Sequence, residues 1–269
     1  IEFRLNDLFP NEKPKYIGLC KEDGSFYAYM ELLWDDSNSS PNIPSNDISI
    51  IAVDGGIWIY SDVDIPSLPI YNVKGNLIQT VELKQNSNQC VILLHEIYGI
   101  NSHMNYYANA LYEKGFDVYV PNLLQRTTSF AYEEEELAYK NFIGNIGFEK
   151  AKNEITALIK DVSKEYSHIR IIGFSIGATV AWLCSNNPSV HKVVGFYGSR
   201  IRQYTDVVPK AETILLFGER EKSFNPLDLK ISLAVYSNVS IHLVEAEHGF
   251  ADPFSAKYNE RITNDLAEY

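Results

Sequence analysis

The sequence predicts an α/β fold in which a mostly parallel central sheet is covered by helices on both faces, preceded by a β-rich N-terminal extension. Two observations carry this. From about residue 88 onward, short runs of branched apolar residues alternate with segments of helical spacing, the rhythm of strand–helix–strand units. The runs are apolar throughout rather than alternating, as strands buried on both faces must be. Composition agrees: 269 residues, 45% hydrophobic and 22% charged, suffice for one large core.

Taken in order, residues 1–86 form the extension, expected to be continuous with the main sheet or packed on it. Strands are predicted at 25–34, 48–53 and 57–61, and Asp54-Gly55-Gly56 reads as a hairpin turn, because glycine supplies positive φ. Residues 35–46, rich in Asp, Ser, Asn and Pro, read as an exposed loop. Residues 87–269 form the α/β catalytic domain. A strand at 90–95 leads into helical spacing over 104–114, stopped by Gly115. A strand at 117–120 ends at Pro121, and helices follow at 133–142 and 149–166. The acidic run 133–136 is the solvated first turn of its helix, favoured there by the macrodipole. A β-branched strand at 169–174 precedes a small-residue helix from Ile176. Strands at 193–197, 213–217 and 239–244 and helices at 226–236 and 254–269 complete the pattern. Asp252 as N-cap and Pro253 at the first helical position would start the closing helix.

Bulk charge excludes some functions. A formal net charge of −12 repels nucleic acid and anionic membrane surfaces. The three cysteines, Cys20, Cys90 and Cys184, are dispersed and odd in number, with no Cys-x-x-Cys pair. That argues against a disulfide framework or zinc site, makes Cys90 and Cys184 small buried side chains, and fits a reducing, cytoplasmic setting. No secretory leader pattern opens the chain, and no apolar run approaches about 18 residues, so no membrane span is expected.

The chemistry centres on Gly173-Phe174-Ser175-Ile176-Gly177, a G-x-S-x-G motif between a strand and a helix. Such a turn exposes the serine hydroxyl at the top of the sheet, which makes the domain an α/β-hydrolase fold and Ser175 its nucleophile. A serine hydroxyl needs an adjacent base. The chain order on this fold is serine, acid, histidine, which selects His248 in the loop after the last strand. His95 ends a strand upstream of the serine, and His242 lies within a strand. His103, His168 and His191 read as satisfied or solvated histidines in loop or helix-edge positions. The acid belongs after the strand at 213–217, where Glu219 and Glu221 are both eligible by position. Backbone N–H groups of Ile97 and Ile176 would form the oxyanion hole. The reaction needs neither metal nor organic cofactor, and the partner is a small-molecule ester or lactone. Thioesterase, peptidase or acyltransferase chemistry runs on the same triad, and a non-catalytic scaffold could retain the fold. The sequence assigns no oligomeric state.

Several motifs, in the right order from about residue 91 to 258, resemble the dienelactone hydrolases. They are His95-Glu96-Ile97-Tyr98-Gly99, Pro121-Asn122-Leu123-Leu124-Gln125-Arg126, Ala138-Tyr139-Lys140, Gly195-Phe196-Tyr197-Gly198 and Glu247-His248-Gly249-Phe250. The resemblance implies Ser175, Glu221 and His248 as the triad, with Glu221 rather than Glu219 as the acid. It places Glu96 against the nucleophile and Arg126 on one of two arginines that grip a substrate carboxylate. Glu96, Tyr98, Arg126 and Tyr197 would line the substrate pocket. Three positions depart from the family pattern: serine stands for the usual cysteine, glutamate for aspartate, and Asp252 for the second arginine. The last change implies a preference for neutral or cationic acyl esters.

Overall fold

The computed structural model describes residues 80–263 other than 127 and 128, together with five short strands within the first 60 residues. Among those five, Tyr16–Cys20 pairs antiparallel with both Phe26–Glu31 and Ile57–Tyr60 in a small sheet. Leu33–Trp34 pairs with Pro41–Asn42, so part of the segment read as a loop at 35–46 is in fact strand-paired. The predicted strand at 48–53 and its turn lie outside the described residues.

The main sheet has seven strands: β1 (Thr80–Leu83), β2 (Gln89–Leu94), β3 (Asp117–Pro121), β4 (His168–Phe174), β5 (Lys192–Phe196), β6 (Glu212–Gly218) and β7 (Val239–Val244). Their spatial order is β7-β6-β5-β4-β2-β3-β1. All neighbours run parallel except β1, which lies antiparallel to β3 at the edge. Position in the sheet explains the sequence of each strand. All five residues of β3 and five of six in β2 are buried, as interior strands covered on two faces require. The edge strands β1 and β7 alternate instead, each having one face near solvent. The sequence reading did not single out β1, whose four residues are too few and too polar to register as an apolar run.

The helices are α1 (Ser102–Glu113), α2 (Glu135–Asn141), α3 (Gly147–Val162), α4 (Ile176–Cys184), α5 (Pro226–Leu233) and α6 (Glu260–Thr263). They cover two faces. Because successive strand residues point to opposite sides, Ile92 and Leu94 pack with Ile155 and Ile159 of α3 and Val180 of α4. Val91 and Leu93 pack with Met104, Tyr107, Ala108 and Leu111 of α1 on the other face. All nine residues of α4 are buried, so the helix lies flat against the sheet centre. A π-helical turn, Phe142–Ile146, links α2 to α3.

The closing helix differs from expectation. Residues 251–257 form turns, and α6 begins only at Glu260. Asp252 does accept a backbone N–H with its side chain, from Phe254 at 2.9 Å. That bond closes an Asx turn, which competes with helix initiation and holds the chain over the sheet. Among the described residues, no helix is long and apolar enough to cross a membrane.

Candidate active site

Ser175 occupies the turn between β4 and α4 with φ 50° and ψ −112°. A non-glycine residue held there stores roughly 1–3 kcal/mol of strain, which the surroundings must impose. They do so through backbone bonds: Ser175 N–H donates to Phe196 O at 2.9 Å, and Thr179 N–H donates to Ser175 O at 3.2 Å. Two glycines make the turn possible. A Cβ on Gly173 would lie 2.4 Å from the carbonyl of Gly177, and one on Gly177 would lie 2.4 Å from Leu94 O. Helix, strand and turn therefore meet at contact distances no side chain permits.

The strained turn presents Ser175 Oγ to His248 Nε2 at 3.1 Å. His248 Nδ1 faces Glu221 Oε1 at 2.9 Å and Oε2 at 3.1 Å. The Glu221 side chain is 2% exposed, against 37% for His248, so the carboxylate anchors the ring from beneath. The choice between the two glutamates follows from the backbone. Glu219 N–H donates to Val244 O and Arg220 N–H to Ala246 O, which ties this loop to the last residue of β7 and the chain just beyond it. Glu219 then points to solvent and Glu221 returns inward to the imidazole.

Ser175 and His248 open into a cavity of about 700 Å³, whose walls include Glu96, Ile97, Tyr98 and Ile176. Ile176 is the first residue of α4, where an N–H has no acceptor within the helix and the helix dipole favours negative charge. The loop carrying Ile97 is fixed by His95, which is fully buried. His95 Nε2 accepts the Leu123 N–H at 3.1 Å, so Nδ1 carries the proton and donates to Glu96 O at 2.6 Å. Burial pushes this imidazole down to about 4, consistent with a neutral structural role.

Two expected wall residues lie elsewhere. Arg126 is not among the residues lining the cavity. Its guanidinium stacks on the Phe130 ring at 3.9 Å, and its backbone carbonyl accepts from the Asn122 amide at 2.8 Å. Tyr197 is wholly buried behind the wall, its ring 4.8 Å from that of His248. Its hydroxyl lies near Glu96 but outside hydrogen-bonding geometry. The cations that do line the cavity are Arg200, Arg202, Arg220, Lys222 and Lys257.

Against the cavity lies a cluster of which the sequence reading singled out Glu96 and Asp252 separately and left out the third member, His103. Glu96 and Asp252 line the cavity yet are 6% and 2% exposed. Burial, then the neighbouring Asp252 carboxylate, push the Glu96 carboxyl up to about 7, with His248 and Lys257 opposing. Burial also raises Asp252, while bonds from the Tyr132 hydroxyl (2.5 Å) and the Phe254 N–H oppose. His103, read from sequence as satisfied or solvated, is 0% exposed, and neither ring nitrogen has a hydrogen-bond partner among the described residues. Burial pushes it down to about 3. No local signal could have found this group, since its members come from a loop, a helix and a distant turn. The thiols of Cys90 and Cys184 are buried and pushed up to about 12, which leaves them unreactive.

A serine on a sharp strand–helix turn at the C-terminal edge of a mostly parallel sheet, facing a carboxylate from the end of β6 and a histidine from the end of β7, defines an α/β hydrolase. The chain belongs to the dienelactone hydrolase family, whose model matches residues 79–268. It is 39% identical over 176 residues to uncharacterized protein YczH of Bacillus subtilis (strain 168), covering 64% of this chain and 85% of that one. It is 25% identical over 136 residues to a carboxymethylenebutenolidase of Pseudomonas putida, covering 47% and 57%. A solved structure from Klebsiella pneumoniae subsp. pneumoniae MGH 78578, likewise named for the dienelactone hydrolases, superposes with a TM-score of 0.57. That match has 17% identity and covers 80% of this chain and 91% of the other, which establishes the shared fold.

Proposed function

We propose that this hydrolase cleaves carboxylic esters or lactones through an acyl-enzyme on Ser175. The observation that carries the reading is the unbroken relay from Ser175 Oγ through His248 to Glu221, opening into a cavity sized for a small molecule. Ser175 Oγ attacks the acyl carbon while His248 Nε2 takes its proton. Glu221 fixes the ring orientation and stabilises the imidazolium. The N–H groups of Ile97 and Ile176 receive the negative charge that develops on the carbonyl oxygen. Collapse of the tetrahedral adduct expels the alcohol, which receives the proton from His248. Water, activated by the same imidazole, then releases the acid and restores the serine.

Support for esters or lactones comes from the family and from the name of the Pseudomonas putida relative, which is a butenolidase. The test is a fluorophosphonate probe read by intact mass, alongside hydrolysis of a panel of acyl esters and lactones. One adduct on the wild type, none on Ser175→Ala, and turnover lost with the adduct are expected. An unlabelled wild-type protein without turnover would leave a non-catalytic fold and sink the proposal.

A further inference from the structure

We infer that Glu96, His103 and Asp252 form a binding site for one divalent transition-metal ion of the zinc type, separate from the serine relay. Their ligand atoms all lie within 4.8 Å of one another, and all three side chains are buried. His103 Nδ1 is 3.9 Å from Glu96 Oε2 and 3.9 Å from Asp252 Oδ2, aimed between the two carboxylates. An imidazole buried to 0% exposure with both nitrogens unpartnered is an unusual expense for a core, and a metal bond would satisfy one of them. Two adjacent buried carboxylates need positive charge, and a doubly charged ion would neutralise both at once.

Geometry and donor type select the ion. Tetrahedral zinc with bonds of about 2.0–2.1 Å spaces its ligands about 3.3 Å apart. The 3.9 Å separations therefore close by about half an ångström, within reach of small side-chain rotations. Three protein ligands of mixed nitrogen and oxygen type suit zinc, whereas magnesium and calcium take oxygen donors in larger number. Glu96 and Asp252 line the cavity, which gives the ion a path from solvent. Tyr132 already donates to Asp252 Oδ2 at 2.5 Å, and such an outer bond orients a ligating carboxylate. Bound, the ion would tie the loop after β2, helix α1 and the turn after His248 to one point.

The experiment is calorimetric titration of ZnCl₂ into chelator-treated, dialysed protein, with MgCl₂ and CaCl₂ in parallel and thermal unfolding with and without zinc. One equivalent of zinc bound, an upward shift in Tm and no heat from magnesium or calcium are expected. His103→Phe, which keeps the ring packing on Phe174 and Tyr107, and the isosteric Glu96→Gln should each abolish the zinc heat while still unfolding cooperatively. His168 and His191, whose rings stack at 4.9 Å, are the competing surface site, so His168→Gln should retain the full equivalent. No zinc binding by the wild type would overturn the inference. So would undiminished binding in both cluster variants, or loss of binding in His168→Gln alone.

Discussion

Ionising Glu96 in metal-free protein should cost folding stability, and Glu96→Gln isolates that cost. The carboxyl is pushed up to about 7 from its ordinary 4.5, first by burial and then by the Asp252 carboxylate. The groups facing it are Asp252, His103, Tyr197 and His248, with Lys257 acting from the cavity wall. Going from 4.5 to about 7, at about 1.4 kcal/mol for each tenfold change in proton affinity, corresponds to about 3 kcal/mol. The folded state binds this proton more tightly than the unfolded chain does. The contribution is therefore fully present below pH about 4.5 and is lost as pH rises through about 7. Glutamine keeps the shape and cannot ionise. The unfolding free energy of the variant minus that of the wild type should thus grow by about 3 kcal/mol between pH about 4.5 and 8. Urea unfolding of both proteins across that range, in the presence of a chelator, measures the difference. His95 and His103 titrate in both proteins and largely cancel. A difference that stays flat to within about 1 kcal/mol would mean that Glu96 ionises like a solvated carboxyl, and the account of the buried cluster would be wrong.

Other outcomes follow from the same geometry. Ser175→Ala and His248→Ala should each abolish ester turnover, since triad members act as a unit, while Glu221→Gln should cost roughly 10²–10⁴-fold and Glu219→Gln almost nothing. A larger loss at Glu219 would refute the assignment of the acid. Gly177→Ala forces a Cβ to 2.4 Å from Leu94 O and should destabilise the fold by roughly 3 kcal/mol or more; an unchanged Tm would contradict the close approach of α4 to β2. His103, pushed down to about 3 by burial, stays neutral in the fold, so the wild type loses stability as pH falls below about 6.5. His103→Phe should remove about 3 kcal/mol of that loss by pH about 4, read as converging against diverging Tm curves. A neutral acyl ester should be favoured in kcat/KM over a matched carboxylate-bearing one, with Arg126→Gln changing neither by more than about twofold. A tenfold preference for the anion, about 1.4 kcal/mol, would place a cationic clamp on Arg200 and Arg202 instead.

The relay was legible because its information is local. G-x-S-x-G between a β-branched run and a small-residue helix encodes the strained turn, and chain order then selects His248. Choosing Glu221 over Glu219 needed the resemblance, because the deciding fact is a pair of backbone bonds from this loop to the end of β7 and the chain just beyond it. The interior strands were readable as continuous apolar runs, whereas β1, four residues at an edge, was not. Arg126 and Tyr197 were placed in the pocket by motif alone. The Phe130 ring that holds the guanidinium and the β5 strand end that buries Tyr197 decide otherwise. Asp252-Pro253 carries a helix-start signal, but the same side-chain oxygen that would cap a helix closes an Asx turn here.

That turn has a consequence for the division of labour among the carboxylates. Glu221 and Glu96 both reach the vicinity of His248, from opposite sides of the sheet's C-terminal edge. Glu221 meets the imidazole N–H and is suited to hold the ring while charge forms on it. Glu96 meets a second carboxylate, delivered by the Asx turn, and an imidazole whose nitrogens have no partners. Pairs of acids whose environments differ this sharply take different roles at one pH. In this site the acid that meets the imidazole N–H is placed to hold His248, and the two that crowd each other in the buried cluster are the ones positioned to bind a cation.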